Sequence, residues 1–374
     1  MMGSDFMPQA PRTILNQAIT SVDRTFFDEH ARDNCCEPYL KLRQRCAQLG
    51  YAFEAVRDQP LEDCHRLVIW DAYSIPPKNL IKRAVFNLRI RKNGGSTRDL
   101  VAEAERAGLA DKLVLVMFEP PSVCPGNVDP AVHERFPTIF TWDPTLVDGR
   151  KYHRIYLPSP TEYPPVKSLP FSGKKLLIDI SSYKFSTHAR ALFAERLGTV
   201  RFFQTHYPGD FDLYGEGWNP SFRQYLYRRL RNPAVRREFF PSYRGRVRNK
   251  AEVYPHYKFG LCYENIRDQT GYVSLKIFDC LRCGVVPVYL GAPDIDDYID
   301  RGAFVDRRDF TSTEELGRYL SGMNEAEHEN RLDSARAYLK SSRFKLFLSE
   351  NFVACMTRGL GLGPTEPAQN LPAR

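Results

Sequence analysis

The chain has 374 residues, 43% of them hydrophobic, with 53 lysines and arginines against 45 acids and a formal net charge of +8. That length exceeds one ordinary core and suits two domains of moderate size. No stretch offers the roughly 18 apolar residues that cross a bilayer, the opening "MMGSDFMPQAPRTIL" has no basic region followed by an apolar run, and nine cysteines, an odd number scattered along the chain, do not make a disulfide framework. A soluble cytoplasmic protein with free thiols is expected.

Residues 1–12 read as a disordered N-terminus. In "EPYLKLRQRCAQLGY" the positions Leu40, Leu42, Cys46 and Leu49 give a helical stripe that Gly50 ends. "YAFEAV" and "HRLVIWDAY" read as strands, followed by a helix "RDLVAEAERAG" capped by Ser96 or Thr97 and closed by Gly108, then a strand "KLVLVMFE". From Leu157 to Lys175 the pattern breaks; the segment carries five prolines, Pro158, Pro160, Pro164, Pro165 and Pro170. Alternation resumes with strand "KLLIDI", helix "THARALFAERLG", strand "VRFF", the turn "DLYGEGW", strand "FGLCYE", helix "SLKIFDCLRCG" and strand "VVPVYLG". Terminal helices follow in "TEELGRYLSGM" and in the stretch from His328 to Gly359, ahead of a loose tail. Short helices alternating with short apolar strands indicate an α/β protein. The expected division is an N-terminal domain over 13–160, a linker over 161–175, a C-terminal domain over 176–330, C-terminal helices over 331–360 and a flexible tail over 361–374.

In an open α/β sheet the ligand lies beyond the carboxyl ends of the strands. Lys276 opens an apolar helix that runs into an apolar strand and the turn "GAP". The helix dipole disfavours a lysine in the first turn unless an anion sits beside it, and unpaired N–H groups there attract phosphate. Its head is therefore expected against ligand or solvent, and Lys276→Ala is expected to leave the fold intact. Just upstream, Glu264 and Asn265 close the strand "FGLCYE", where polar groups face a ligand, and Gly291 permits close backbone approach. Cys280 and Cys283 form a C-x-x-C inside the apolar helix with no second pair or histidines at zinc spacing, so packing is expected of them, as of Cys35 and Cys36.

"YKFGLCYEN", a short loop, "GYVSLKIFDCLRCGVVPVYLGAP" and "AFVDRRDF" together resemble the donor-site signature of glycosyltransferase family 10, the α1,3/α1,4-fucosyltransferases. "YRGRVRNKAEVYPHYKF" and "FDLYGEGW" resemble the segments before that signature, "FEPPSVCPGN" and "FTWDP" a segment of the acceptor domain, and "RDNCCEPYLKLRQRCAQLGY" the opening of bacterial members. The resemblance covers roughly residues 30–350. It implies a GT-B fold, two Rossmann-like domains facing across a cleft, with GDP-L-fucose as donor and inversion at the transferred carbon to give an α-linked fucose. Lys276 stands at the family's diphosphate lysine and Arg190 at its second phosphate-binding cation. Asn265 and Tyr272 match positions that contact sugar or nucleoside, and Glu264 and Ser274 complete the donor set. Glu119 aligns with the general base. Two cations beside a leaving diphosphate fit the charge that grows there, and a carboxylate can accept an acceptor hydroxyl proton.

One departure is specific. The family usually has Thr-Glu-Lys where this chain has Ser274-Leu275-Lys276, and leucine cannot accept hydrogen bonds from sugar or ribose; Glu264, Asp268 and Ser274 are the nearest candidates to compensate. Asp300 stands where the family often has proline. Two D-x-D triplets, Asp210 to Asp212 and Asp294 to Asp296, have the spacing of a metal-dependent transferase, but no metal site is expected and a divalent ion is expected at most to stimulate. No G-x-S-x-G, Walker or G-x-G-x-x-G motif supports a hydrolase, NTPase or dehydrogenase. The alternatives are a same-scaffold transferase using another nucleotide sugar and a non-catalytic sugar-nucleotide or glycan reader.

Residues 223–250 hold ten basic residues and one acid, Glu238. Without a zinc-finger or RNP-type signature this stretch does not argue for nucleic acid. It suits peripheral contact with an anionic membrane, as for a bacterial enzyme that decorates lipopolysaccharide or O-antigen at the cytoplasmic face of the inner membrane.

Overall fold

The computed structural model of the chain describes residues 12–17, 27–28, 30–56, 59–76, 80, 83–84, 86–88, 97–231 and 237–363. Of the expected disorder over 1–12 and tail over 361–374, residues 1–11 and 364–374 lie outside them, while Arg12 opens a strand. The chain forms two compact units, one of residues 1–31, 35–161 and 347–374, the other of 32–34 and 162–346.

The first unit is built on a six-stranded sheet of order β2-β1-β3-β4-β5-β6, formed by β1 (Arg12–Gln17), β2 (Tyr51–Ala55), β3 (Cys64–Trp70), β4 (Leu113–Val116), β5 (Thr138–Thr141) and β6 (Tyr152–Arg154). Every pair in it is parallel. Alternate residues of a strand face opposite sides, and here both sides are covered. Val68, Trp70, Val114 and Val116 join Leu42, Cys46, Phe352 and Met356 in one core, beneath the helices Glu37–Gln48 and Ser349–Gly359. Leu67, Ile69, Leu113 and Leu115 join Leu100, Val101 and Ala104 of the helix Leu100–Arg106 in the other. That helix is capped by Asp99, whose side chain accepts the Ala102 amide, rather than by Ser96 or Thr97. Strand β1 was not foreseen.

The second unit carries a five-stranded parallel sheet of order β11-β10-β9-β7-β8, formed by β7 (Lys175–Ile180), β8 (Phe211–Tyr214), β9 (Tyr257–Tyr263), β10 (Val286–Leu290) and β11 (Val305–Asp306). Leu177, Phe211, Leu213, Phe259, Leu261, Val286 and Val288 pack with Val200, Phe203, Leu316 and Leu320 in its core. "VRFF" is not a strand: residues Phe193–His206 are one helix, burying Phe193, Arg196, Thr199, Val200 and Phe203 on one face. "THARAL" precedes that helix, so Arg190 lies on a loop, and Phe211–Tyr214 of the expected turn is β8. The helix Leu275–Arg282 lies so close to β9 that a side chain on Gly260 would stand 2.5 Å from the Cys280 thiol. Cys280 and Cys283 are buried free thiols within this packing, and no cysteine among the described residues is bonded to another. Gly284, at φ 65°, ends the helix in the left-handed conformation that glycine adopts without strain. Among the described residues no helix is long and apolar enough to cross a membrane.

Candidate active site

Because the second sheet is parallel throughout, the carboxyl ends of β9 and β10 share one edge, and most of the expected donor residues gather there. Glu264 follows β9 directly and is completely buried. Its Oε1 accepts the Ser274 amide at 2.7 Å; its Oε2 accepts the Ser274 hydroxyl at 2.6 Å and the Lys276 ammonium at 2.9 Å. Ser274 is the N-cap residue of the helix Leu275–Arg282, yet its hydroxyl does not cap the helix; it is held by Glu264 and also receives Lys276 Nζ at 3.1 Å. The anion that makes a lysine tolerable in this first turn is thus supplied by the protein itself.

The expectation that Lys276→Ala leaves the fold untouched is corrected by this pairing. The lysine side chain is only 25% exposed and its partner 0%. Removing one member of a buried ion pair leaves an uncompensated charge, at a cost of about 3–5 kcal/mol. Gly291 is needed for the same carboxylate, since a Cβ there would lie 2.5 Å from Glu264 Cγ. Beneath the pair, the guanidinium of the buried Arg196 donates to the carbonyls of Tyr263 and, at 3.1 Å, Glu264. Asp179, near the end of β7, is wholly buried; the Ser181 hydroxyl donates to its Oδ2 at 2.8 Å, and its Oδ1 has no hydrogen-bond partner. Burial pushes its carboxyl up to about 6, against the opposing pull of Arg196, Ser181 and Lys276. Neither Arg196 nor Asp179 was singled out in the sequence: an arginine on an apolar helix face and an aspartate within "KLLIDI" carry no motif.

Asn265 and Tyr272 are buried beside this network, and the Asn265 carbonyl accepts the Leu192 amide at 3.3 Å. Arg190 is exposed and donates from Nη1 to the Asp268 carbonyl at 3.0 Å, while its own carbonyl accepts the Arg267 amide. Leu275 is half-buried. Of the three candidates to replace a carboxylate at that position, Glu264 and Ser274 are committed to each other and to Lys276. Asp268 is exposed, and its carboxylate makes no hydrogen bond among the described residues.

Glu119 belongs to the first unit, three residues past β4, and is half-buried. Its carboxylate makes no hydrogen bond among the described residues, but its backbone is held. Asp71, one residue past β3, accepts on Oδ1 the amides of Phe118 at 2.7 Å and Glu119 at 2.9 Å and the side-chain amide of Asn127 at 2.6 Å. The Asn127 side chain also donates to the Glu119 carbonyl at 2.8 Å. Burial pushes the Asp71 carboxyl up to about 6; the three donors oppose this and the Glu119 charge reinforces it. Asp71 sits at φ 55°, ψ 151°, a region that costs a non-glycine residue about 1–3 kcal/mol.

Of the four D-x-D aspartates, Asp210 is exposed and the other three are occupied by the protein. Asp212 is buried between Lys175 at 2.6 Å and Arg244 at 2.7 Å, Asp294 accepts the Gly271 amide and Asp296 pairs with Arg301. Among the described residues no group of three or more His, Cys, Asp or Glu side chains is placed to hold a metal ion.

Comparison with known proteins matches residues 210–333 to the description "Glycosyltransferase family 10 (fucosyltransferase) C-term". An α-(1,3)-fucosyltransferase of Helicobacter pylori is 36% identical over 74 residues, 20% of this chain and 15% of that protein. An α-(1,4)-fucosyltransferase of Arabidopsis thaliana is 36% identical over 70 residues, 19% and 17% respectively. α-(1,3)-Fucosyltransferase 7 of Homo sapiens is 34% identical over 113 residues, 29% and 32%. The chain thus matches less than a third of the length of each of these relatives. The crystal structure of an α1,3-fucosyltransferase with GDP is similar over 98% of this chain and 96% of that one, with a TM-score of 0.51 and 14% identity. That likeness establishes the fold: two parallel-sheet α/β units of GT-B type.

Proposed function

We propose that the chain, whose residues 210–333 match glycosyltransferase family 10, is an inverting transferase that moves L-fucose from GDP-L-fucose to a hydroxyl of an acceptor glycan, in α1,3-type linkage, in the making of a surface polysaccharide or lipopolysaccharide. The observation that carries this reading is the family match over 210–333, which spans Glu264, Asn265, Tyr272, Ser274 and Lys276. In the reaction, the Glu119 carboxylate takes the proton of the acceptor hydroxyl. The hydroxyl oxygen forms its bond to the anomeric carbon from the face opposite GDP, and the bond to the diphosphate oxygen breaks with its electron pair passing to GDP. Lys276 and Arg190 offset the charge that grows there. Asn265 and Tyr272 contact sugar or nucleoside, Glu264 and Ser274 orient the lysine, and no metal is required; a divalent ion acts only on the diphosphate.

Leu275 favours a second reading, in which another nucleotide sugar is the donor. Glu264 and Ser274, which could have replaced the missing carboxylate, are already engaged. Incubating the protein with a panel of nucleotide sugars and acceptor glycans, and weighing the products by mass spectrometry, decides between the two. Transfer from GDP-fucose is expected; transfer from a different donor alone sinks the first reading, and absence of any transfer with retained GDP binding points to a glycan or nucleotide reader.

Peripheral contact with an anionic membrane through 223–250 belongs to the same proposal. The helix Phe222–Arg231 shows Phe222, Leu226 and Leu230 60%, 46% and 78% exposed at four-residue spacing, with Arg223 and Arg229 also exposed. An apolar ridge flanked by arginines suits the interface of an acidic bilayer. Leu226→Glu with Leu230→Glu should reduce co-sedimentation with phosphatidylglycerol vesicles severalfold; unchanged sedimentation removes the membrane contact.

A further inference from the structure

We propose that Asp71 is a positioning residue of the reaction, holding Glu119 through its backbone; the assignment rests on Glu119 being the general base. A residue at φ 55°, ψ 151° occupies a region that glycine enters freely and other residues enter under strain. If the chain needed only a sharp turn at the end of β3, glycine would serve it better. The carboxylate supplies a reason to keep the strain. One oxygen gathers the amides of Phe118 and Glu119 and the side chain of Asn127, all within 2.9 Å.

Asn127, 0% exposed, completes the device. Its side-chain amide also donates to the Glu119 carbonyl, and its oxygen accepts the Ala72 amide at 2.7 Å. The Asn127 carbonyl is in turn 2.7 Å from His133 Nε2. Gly126 lies against Ala72 so closely that a Cβ would come within 2.8 Å of the Ala72 methyl, so the loop has no room to shift. Both the amide and the carbonyl of Glu119 are therefore tied to one buried pair, while its carboxylate carries no such tie. Only the side-chain torsions of Glu119 remain to be set by substrate. A base so held meets the narrow positional tolerance of proton transfer without a hydrogen bond that would compete for its lone pairs.

The test is a double-mutant cycle on the whole chain. Asp71→Gly removes the carboxylate and relieves the backbone in one step; it is measured beside Glu119→Gln and the double variant. Asp71→Gly should lower kcat at least tenfold while the dissociation constant of GDP stays within about twofold. The double variant should be no slower than Glu119→Gln, because a residue acting through the base has nothing to hold once the base is gone. If Asp71→Gly does not fold, Asp71→Ser, which retains one weak acceptor, takes its place in the cycle with the same expectations. Wild-type kcat in the Asp71 variant, or losses that multiply in the double variant, overturn the positioning role alone. Wild-type turnover in Glu119→Gln overturns the reading of Glu119, and this proposal with it.

Discussion

The end of β3 in the first unit and the end of β9 in the second solve one problem in two ways. Each places a buried carboxylate just beyond a parallel strand, Asp71 in one and Glu264 in the other. Asp71 grips backbone amides and leaves the Glu119 carboxylate untied. Glu264 grips the side chain itself, binding the Lys276 ammonium and the Ser274 hydroxyl. On the proposed reading of Glu119 as the base, a proton acceptor needs open lone pairs and is held by its main chain. A cation near a helix N-terminus needs a counter-charge before any ligand arrives, so it is held by its head. Reactivity is kept in the first case, and orientation is gained at the expense of net charge in the second.

That contrast fails most visibly if Glu119→Gln is mild. Turnover should fall about 10²–10⁴-fold, while thermal stability stays within about 0.5 kcal/mol, since no partner loses a bond. A loss of GDP affinity equal to the loss of rate would instead assign Glu119 a structural part. Lys276→Ala should behave in the opposite manner, lowering both quantities. Turnover should drop about ten- to a hundredfold, the worth of a charge-assisted bond to phosphate of roughly 1.5–3 kcal/mol. Unfolding in urea should show a loss of about 3 kcal/mol from the orphaned Glu264. Full activity in a folded Lys276→Ala protein removes the phosphate role, and unchanged stability shows that the Glu264 contact contributes nothing.

Smaller effects probe the edge of the donor site. If Asp268 takes over the missing carboxylate, Asp268→Asn should raise the KM for GDP-fucose several-fold, and Leu275→Glu should restore it in that background. Asparagine tolerates the positive φ of 54° at this position, so the backbone is not disturbed. No change in KM would take Asp268 out of donor binding, and loss of activity in Leu275→Glu would favour a different sugar.

The smallest effect on turnover is expected at Asp179, a third buried carboxylate, which grips neither backbone amides nor a lysine. Its carboxyl is raised to about 6 from an ordinary 3.8, so between those values the folded state holds a proton that the unfolded chain has lost. Its contribution to stability is therefore greatest below about pH 4, falls as pH rises towards 6, and is level above, by at most about 3 kcal/mol for a shift of about two units. Asp179→Asn should flatten that fall in pH-dependent denaturation; an unchanged profile would show that the carboxyl titrates normally.

Much of the second unit was readable from residues alone. The apolar runs at β7, β9 and β10 are bounded by turns, and the helix Leu275–Arg282 follows a polar loop and ends at a glycine. Strand β1 escaped because "RTILNQ" is short, half polar, and pairs with β2 and β3 across dozens of residues. Val200–Phe203 passed for a strand because a short apolar run fits either period, and the buried Arg196 breaks the helical stripe that would have decided it. Lys276 was found by its awkward place at a helix start; Asp71 was overlooked because one aspartate after a strand is ordinary.

By itself, then, the sequence determined much of the local order: which apolar runs become strands or helices, β1 and Val200–Phe203 excepted, and that acidic residues stand at strand ends. These follow from periodicity and turn chemistry, which act over a few residues. Only the tertiary structure decided the partners. Glu264 meets Lys276 twelve residues later because the end of β9 and the start of the following helix converge. Asp71 meets the amide of Glu119 across 48 residues because β3 and β4 are neighbours in the sheet. A carboxylate's role depends on which donors surround it after folding, and strand adjacency, set by the packing of whole layers, brings those donors together.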